Sequence, residues 1–236
     1  MRKEDLEFAK EYARKYIMKD NPELVLVTGV FGVQGSDFDL CVVGRYHEKH
    51  LRKYSNFISI KKYPREYKGQ MFEVELASWD YIREGLQEYE SFLAWHFQQA
   101  HILFDKGGKF ESLRKKYSRL TKKELKELVF ELYEIALDNY RNAVKAEQRA
   151  YPATKQLHIA EAVDSLLKIY YLINGRFIPP LKWRIFLLAD LKIKPSMLNE
   201  RGLENLSVRT LEVLIRKTES VILIQKILNK KDISIL

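Results

Sequence analysis

The stretch Thr28–Val43, TGVFGVQGSDFDLCVV, puts two aspartates one residue apart inside an otherwise apolar run. The preceding ELVLVTG, Glu23–Gly29, is a short apolar segment ending in glycine, so it reads as a core strand entering a turn. Gly29, Gly32 and Gly35 make that turn flexible, and DFDLCVVG is then the returning strand of a hairpin. Strand side chains alternate between faces, so Asp37 and Asp39 share one face, about 7 Å apart along the backbone. Like charges held that close repel unless a cation lies between them. Carboxylate oxygens suit Mg²⁺, which is usually held by one or two carboxylates plus substrate phosphates. The competing explanation is local: Asp37 caps the turn at Gly35 or Ser36, and Asp39 lines the wet side of a sheet.

Downstream, MFEVELAS alternates cleanly, with Phe72, Val74 and Leu76 on one side and Glu73 and Glu75 on the other. This is a third strand with one polar face, and a third carboxylate beside the aspartates would be enough for a two-metal phosphoryl-transfer site. Glu73 and Glu75 compete for that role because they share a face. Ser78 is placed to cap a helix running through WDYIREGLQEYESFLAWHFQQA, after which HILFDKGG reads as a short extended piece and a glycine turn. Ahead of the hairpin, Leu6, Ala9, Ala13, Tyr16 and Ile17 recur at helical spacing, predicting a first helix that stops before DNP.

From Thr121 the character changes. TKKE is a capping box opening a long helix with Leu125, Leu128, Val129, Leu132, Ile135 and Ala136 on one stripe. A second helix ends at Asn174–Gly175, IPPLKW interrupts the chain, and a final amphipathic helix is expected over about Ser207–Leu228 with a loose tail. The predicted organisation is α+β: an N-terminal mixed sheet with flanking helices over residues 1–117, and a C-terminal helical bundle over 118–236. Lys109–Lys126 holds 8 basic residues and marks the join; its thin aromatic content favours a solvated helix face over a nucleic-acid stripe.

Composition narrows the function classes. No segment reaches the roughly 18 uninterrupted apolar residues of a bilayer span, and MRKEDLEFAKEYARKY lacks the apolar core of a signal peptide, so a cytoplasmic protein with no membrane partner is expected. A single cysteine, Cys41, excludes an internal disulfide and a thiolate zinc site. Lys plus Arg outnumber Asp plus Glu by 41 to 32, a net charge of +9 that favours anionic partners such as nucleotides or RNA.

The strand, the glycine turn, SDFDL at Ser36–Leu40 and the later FEV at Phe72–Val74 together resemble the nucleotidyltransferase fold of the DNA polymerase beta superfamily. FEVELASWDYI followed by LFDKGGKFESL, Leu103–Leu113, is similar to its small-molecule branch, typified by kanamycin nucleotidyltransferase. The resemblance covers about Val25–Leu113. It implies transfer of a nucleoside monophosphate from a nucleoside triphosphate, usually ATP, to a hydroxyl-bearing acceptor with release of pyrophosphate. By that resemblance Asp37 and Asp39 bind two Mg²⁺ ions with Glu73 as third ligand, Glu75 being its rival, and the turn from Gly29 through Val30 to Ser36 holds the triphosphate. The family has serine where Val30 stands, which shifts phosphate binding toward backbone amides and nearby Lys or Arg. That departure and the net charge leave a second reading, a non-catalytic nucleotide- or RNA-binding module on the same fold.

Related enzymes draw a general base from the first C-terminal helix. Here Glu131, Glu134 and Asp138 lie on one helical face, making Glu134 or Asp138 the candidate, against the competing explanation of a solvated helix face with Glu134 and Asp138 near Arg141. Lys182, with Trp183 after two prolines, is a candidate to reach the nucleotide. His158 lies near an apolar stripe, with no second histidine at metal spacing beside it. A homodimer is compatible with the resemblance, because related enzymes share sites across subunits.

Overall fold

Leu24–Val27 is wholly buried and forms strand β1, and Phe38–Val43 returns antiparallel to it as β2, with Leu24 opposite Val43 and Val27 opposite Leu40. The computed structural model describes residues 2–28, 37–44, 57–59, 62–89, 91–195 and 206–228, without the side chains of 57–59 and 182. Gly29, Val30 and Ser36 of the expected phosphate turn, and the tail after Leu228, therefore lie outside the described residues. The chain divides into two units, Met1–Ser118 and Arg119–Leu236.

In the first unit, β3 (Phe57–Ser59), β4 (Glu66–Tyr67), β5 (Gln70–Ala77) and β6 (His101–Asp105) complete a mixed sheet of order β3-β5-β2-β1-β6, with β4 paired to β5. The β2–β5 pairing is parallel and the others are antiparallel. The two strands β3 and β4 have no counterpart in the sequence reading, because the charged segment around them lacks an alternating apolar pattern.

Helix α1 (Lys3–Tyr12) carries Glu4 and Asp5 in its first turn, where acids favour the helix dipole. It continues as a π turn at Ala13–Ile17 and a 3-10 turn at Met18–Asp20, and stops at Asn21, whose φ of 50° is left-handed. Its apolar stripe, Ala9, Tyr12, Ala13 and Ile17, packs on one sheet face made by Val25, Val27, Phe38, Leu40, Val42, Phe72, Val74 and Leu76. Tyr12 stacks on Phe72 at 3.8 Å, Phe72 stacks on Phe38 at 4.9 Å, and the Tyr12 hydroxyl donates to the Pro64 carbonyl at 2.7 Å.

The opposite face carries Leu24, Leu26, Cys41, Val43 and Ala77, covered by Ile82 and Leu86 of α2 (Trp79–Gln87), Phe97 of α3 (Phe92–Gln99) and Phe110 of α4 (Lys109–Lys116). Ser78 caps α2 by accepting from the Tyr81 amide at 3.0 Å, as its position predicts. The single helix expected from Trp79 to Ala100 is instead two. Glu88 leaves the helical region, and Ser91 starts α3 by accepting from the Leu93 amide at 3.1 Å. The break lets α3 turn back against α2 at Gly85, where an added Cβ would lie 2.8 Å from Phe97 Cε2 and 3.1 Å from Leu93 Cβ. Helical periodicity persists through the break, so the serine cap was its only local signal.

The second unit is helical. Thr121 and Glu124 form the expected capping box at the start of α5 (Lys122–Gln148), and Pro152 opens α6 (Pro152–Ile173). Leu132, Tyr133 and Ala136 of α5 pack with Leu166, Ile169 and Tyr170 of α6 and with Leu211, Leu214 and Ile222 of α8 (Val208–Ile224). Between α6 and α8, the short α7 (Leu181–Arg184) follows Pro179 and Pro180. There the buried Arg184 guanidinium bonds the Pro179 carbonyl at 3.2 Å through two nitrogens and pairs with Asp164. Asn174 and Gly175 end α6, with Gly175 at φ 64°. The architecture is α+β.

Candidate active site

Strands β2 and β5 run parallel with Phe38 opposite Phe72, Asp39 opposite Glu73, Leu40 opposite Val74 and Cys41 opposite Glu75. Since side chains alternate, the even-numbered residues face α1, while Asp39, Glu73, Cys41 and Glu75 share the other face. Asp39 is held at the strand end by β1: the Thr28 amide donates to the Asp39 carbonyl at 2.9 Å. Asp37 precedes Asp39 by one pleat and is exposed, at the edge of this set.

A cavity of about 260 Å³ opens over these carboxylates. Its sheet side is Thr28, Asp39, Cys41, Glu73 and Glu75; its helix side is Tyr81 of α2 and Phe92, Leu93, His96 and Phe97 of α3. The helical residues fall at i, i+1, i+4 and i+5, so one face of α3 supplies all four. The sequence reading did not single out this wall; the FLxxHF spacing was legible, but the break that points it at the sheet was not.

Burial raises the Glu75 carboxyl to about 7, with the negative charges of Asp39 and Glu73 adding to the effect. Burial likewise raises the Tyr81 phenol to about 12, helped by Cys41, Glu75 and Glu88. It also pushes the Cys41 thiol up, next to Glu75, so Cys41 is a neutral, unreactive space-filler, as its apolar context predicts. The electrostatic character is thus a crowded set of acids, in which a cation arriving at Asp39 and Glu73 would relieve repulsion.

The oxygen donors are of the type Mg²⁺ takes. Among the described residues, however, no three His, Cys, Asp or Glu side chains converge closely enough to hold a metal ion. Two carboxylates in register, Asp39 and Glu73, remain, and Mg²⁺ bound with a triphosphate needs no more than one or two from the protein. The site fits a metal that arrives with its nucleotide better than a resident one. In the register, Glu73 is beside Asp39, whereas Glu75 is one pleat deeper beside Cys41.

Other residues named from the sequence belong to the second unit. Glu134 is half-buried on α5, and the exposed Asp138 is paired with Arg141 at 3.0 Å. Lys182 lies on α7, its side chain outside the described residues. His158 Nδ1 and Asn139 Oδ1 are 2.8 Å apart, a satisfied interface histidine within that unit.

The domain of unknown function DUF4037 matches residues 87–184, less than half of the chain. No curated protein matches it. Among solved structures, a nucleotidyltransferase-like protein from Exiguobacterium sibiricum 255-15 superposes with a TM-score of 0.53 at 14% identity, covering 89% of this chain and 75% of that one. The α+β fold is therefore nucleotidyltransferase-like. The narrower resemblance to the kanamycin-type branch is not carried by this neighbour. No helix among the described residues is long and apolar enough to cross a membrane.

Proposed function

We propose that the chain transfers a nucleoside monophosphate, in the first instance AMP from ATP, to the hydroxyl of a small acceptor. The observation that carries this reading is the register of Asp39 against Glu73 on the sheet face that floors a cavity. Supporting it are the oxygen-only donor pair and the nucleotidyltransferase-like fold. The acceptor oxygen forms a bond to the α-phosphorus, the bond from that phosphorus to the bridging oxygen breaks, and pyrophosphate leaves with the electron pair.

Asp39 and Glu73 are the residues that would hold Mg²⁺. Bound there with the nucleotide, Mg²⁺ supplies neutralisation of the triphosphate and of the charge that develops as pyrophosphate departs. Phe92, Leu93 and Phe97 line the cavity with apolar surface, which lowers the polarity around the carboxylates. The acceptor proton goes to a general base, for which the sequence names Glu134 or Asp138; within the second unit Asp138 is engaged by Arg141. The phosphate role of Gly29, Val30 and Ser36 is the one the sequence resemblance implies.

The test is incubation with Mg²⁺ and ATP labelled at the α-phosphate over a pool of small hydroxyl compounds. Pyrophosphate and a labelled product should accumulate, and Asp39→Ala should stop both. Failure to bind millimolar Mg-ATP would sink the proposal. A binding module without catalysis draws support from the net charge of +9. That reading requires RNA affinity that falls steeply with salt, since phosphate contacts release counterions.

A further inference from the structure

The wall that α3 supplies to the cavity needs something to hold it. At eight residues this helix is too short to be stable alone, and it buries Ala94 and Phe97. Its remaining hold is polar and lies outside the cavity, at the last turn of α4. Gln98, which does not line the cavity, donates from its side-chain amide nitrogen to the Arg114 carbonyl at 3.2 Å and to the Tyr117 carbonyl at 3.1 Å. Ahead of α3, the Tyr89 hydroxyl donates to the same Tyr117 carbonyl at 2.7 Å, and the Gln87 amide nitrogen donates to the Tyr117 hydroxyl at 2.9 Å. Past its end, the Arg114 guanidinium donates to the Ala100 carbonyl at 2.9 Å. Both ends of α3 are thus tied to Arg114 and Tyr117.

Helix α4 is a firm anchor for this latch. Phe110 is fully buried in the core on that side of the sheet, and the Asp105 carboxylate caps the helix by accepting from the Phe110 and Glu111 amides at 3.2 and 3.0 Å. Carbonyls at the end of a helix have no partner further along it and carry the negative end of its dipole. They call for a donor, which the Gln98 amide supplies. A carboxylate of the same size would be repelled.

Resting on the transferase reading above, we propose that Gln98 is a positioning residue: through the end of α4 it holds α3 over the sheet face of Asp39 and Glu73, and so governs the rate of transfer without touching a substrate. Phe92, Leu93, His96 and Phe97 all ride on this one short helix, so a shift of α3 moves the whole wall at once. Misplacement by about 1 Å can cost ~10²-fold in rate.

The full chain is compared with Gln98→Glu, equal in size but without the donor, and with Gln98→Lys, a donor of different shape. Hydrogen exchange is read by mass spectrometry, kcat and KM from pyrophosphate release with Mg-ATP and glycerol as acceptor, and affinity by calorimetry with a non-hydrolysable Mg-ATP analogue. Gln98→Glu should speed exchange across α3 about tenfold, the scale of polar groups left unsatisfied, with α1 and β5 unchanged. It should lower kcat by about tenfold or more, while KM for Mg-ATP and the analogue's affinity stay within about twofold, because Asp39 and Glu73 sit on the sheet. Gln98→Lys should resemble the wild type in all three measurements. Wild-type exchange in Gln98→Glu overturns the latch, as does a Gln98→Lys that fares worse than Gln98→Glu, since shape and not donation would then be the cause. Faster exchange spread evenly over α1 and β5 overturns the positioning role, and so does an unchanged kcat with α3 loosened. Failure of the transferase reading looks different: the wild type releases no pyrophosphate, whereas exchange in α3 still follows the donor.

Discussion

The two faces of the first unit's sheet are built from the same strands and serve opposite ends. Facing α1, every β2 and β5 position from Phe38 and Phe72 onward is apolar, and the rings of Tyr12, Phe72 and Phe38 form a continuous stack. One residue along, the pair Asp39–Glu73 points the other way into a cavity. Neighbouring register pairs thus separate stability from chemistry: the first face fixes the strands so firmly that the second can hold like charges side by side.

The largest effect that could break this division is Phe72→Ala. Truncating a buried ring costs about 3–5 kcal/mol, and denaturant unfolding should show a loss of that size. A small loss would mean that the α1 face does not anchor the strands. Next, Asp39→Ala should lower pyrophosphate formation by on the order of 10²–10³-fold, the loss typical of removing a group that stabilises transition-state charge. Its unfolding midpoint should stay level or rise, because one of three crowded acids is gone; a marked fall in stability would erase the contrast with Phe72.

Gly85→Ala sharpens the comparison at the roof of the cavity. The new methyl would press on the Phe97 ring and Leu93, and overpacking of this kind costs about 1–3 kcal/mol, less up to ~1 kcal/mol of helix propensity regained. A thermal melt should register a net fall. A further test concerns Glu75. Its folded carboxyl titrates near 7, above the ordinary value of 4.5, so between these values the native state holds more protons than the unfolded chain. Stability of the nucleotide-free protein therefore falls as pH rises through that window, and is level above it. Glu75→Gln should flatten the slope between pH 4.5 and 7, as followed by urea titration at several pH values; an unchanged slope would show that Glu75 is not the group responsible.

Much of this division was legible in the amino acids. The alternation of Phe72, Val74 and Leu76 with Glu73 and Glu75 gave the strand and its faces, and the spacing of Asp37 and Asp39 gave a shared face. Ser78 and the Thr121–Glu124 box located helix starts because capping is a local interaction. Alternation reports a period, however, and not what covers each face. The polar side of β5 could equally have been wet; that Glu75 is roofed by α3 depends on the break at Ser91 and the close crossing at Gly85, both tertiary. Strands β3 and β4 were missed because, at three and two residues, they are too short for an alternating pattern to register.

The parallel pairing of β2 with β5 has a kinetic meaning as well. Adjacent antiparallel strands such as β1 and β2 can zip from a local turn, but parallel neighbours must wait for a long crossover connection to close. Asp39 and Glu73 come together only at that late, non-local step, so no early fragment of the chain presents the acid pair. A nucleotide that recognises the pair binds the finished sheet and not its precursors, and by mass action it draws the folding equilibrium toward completion.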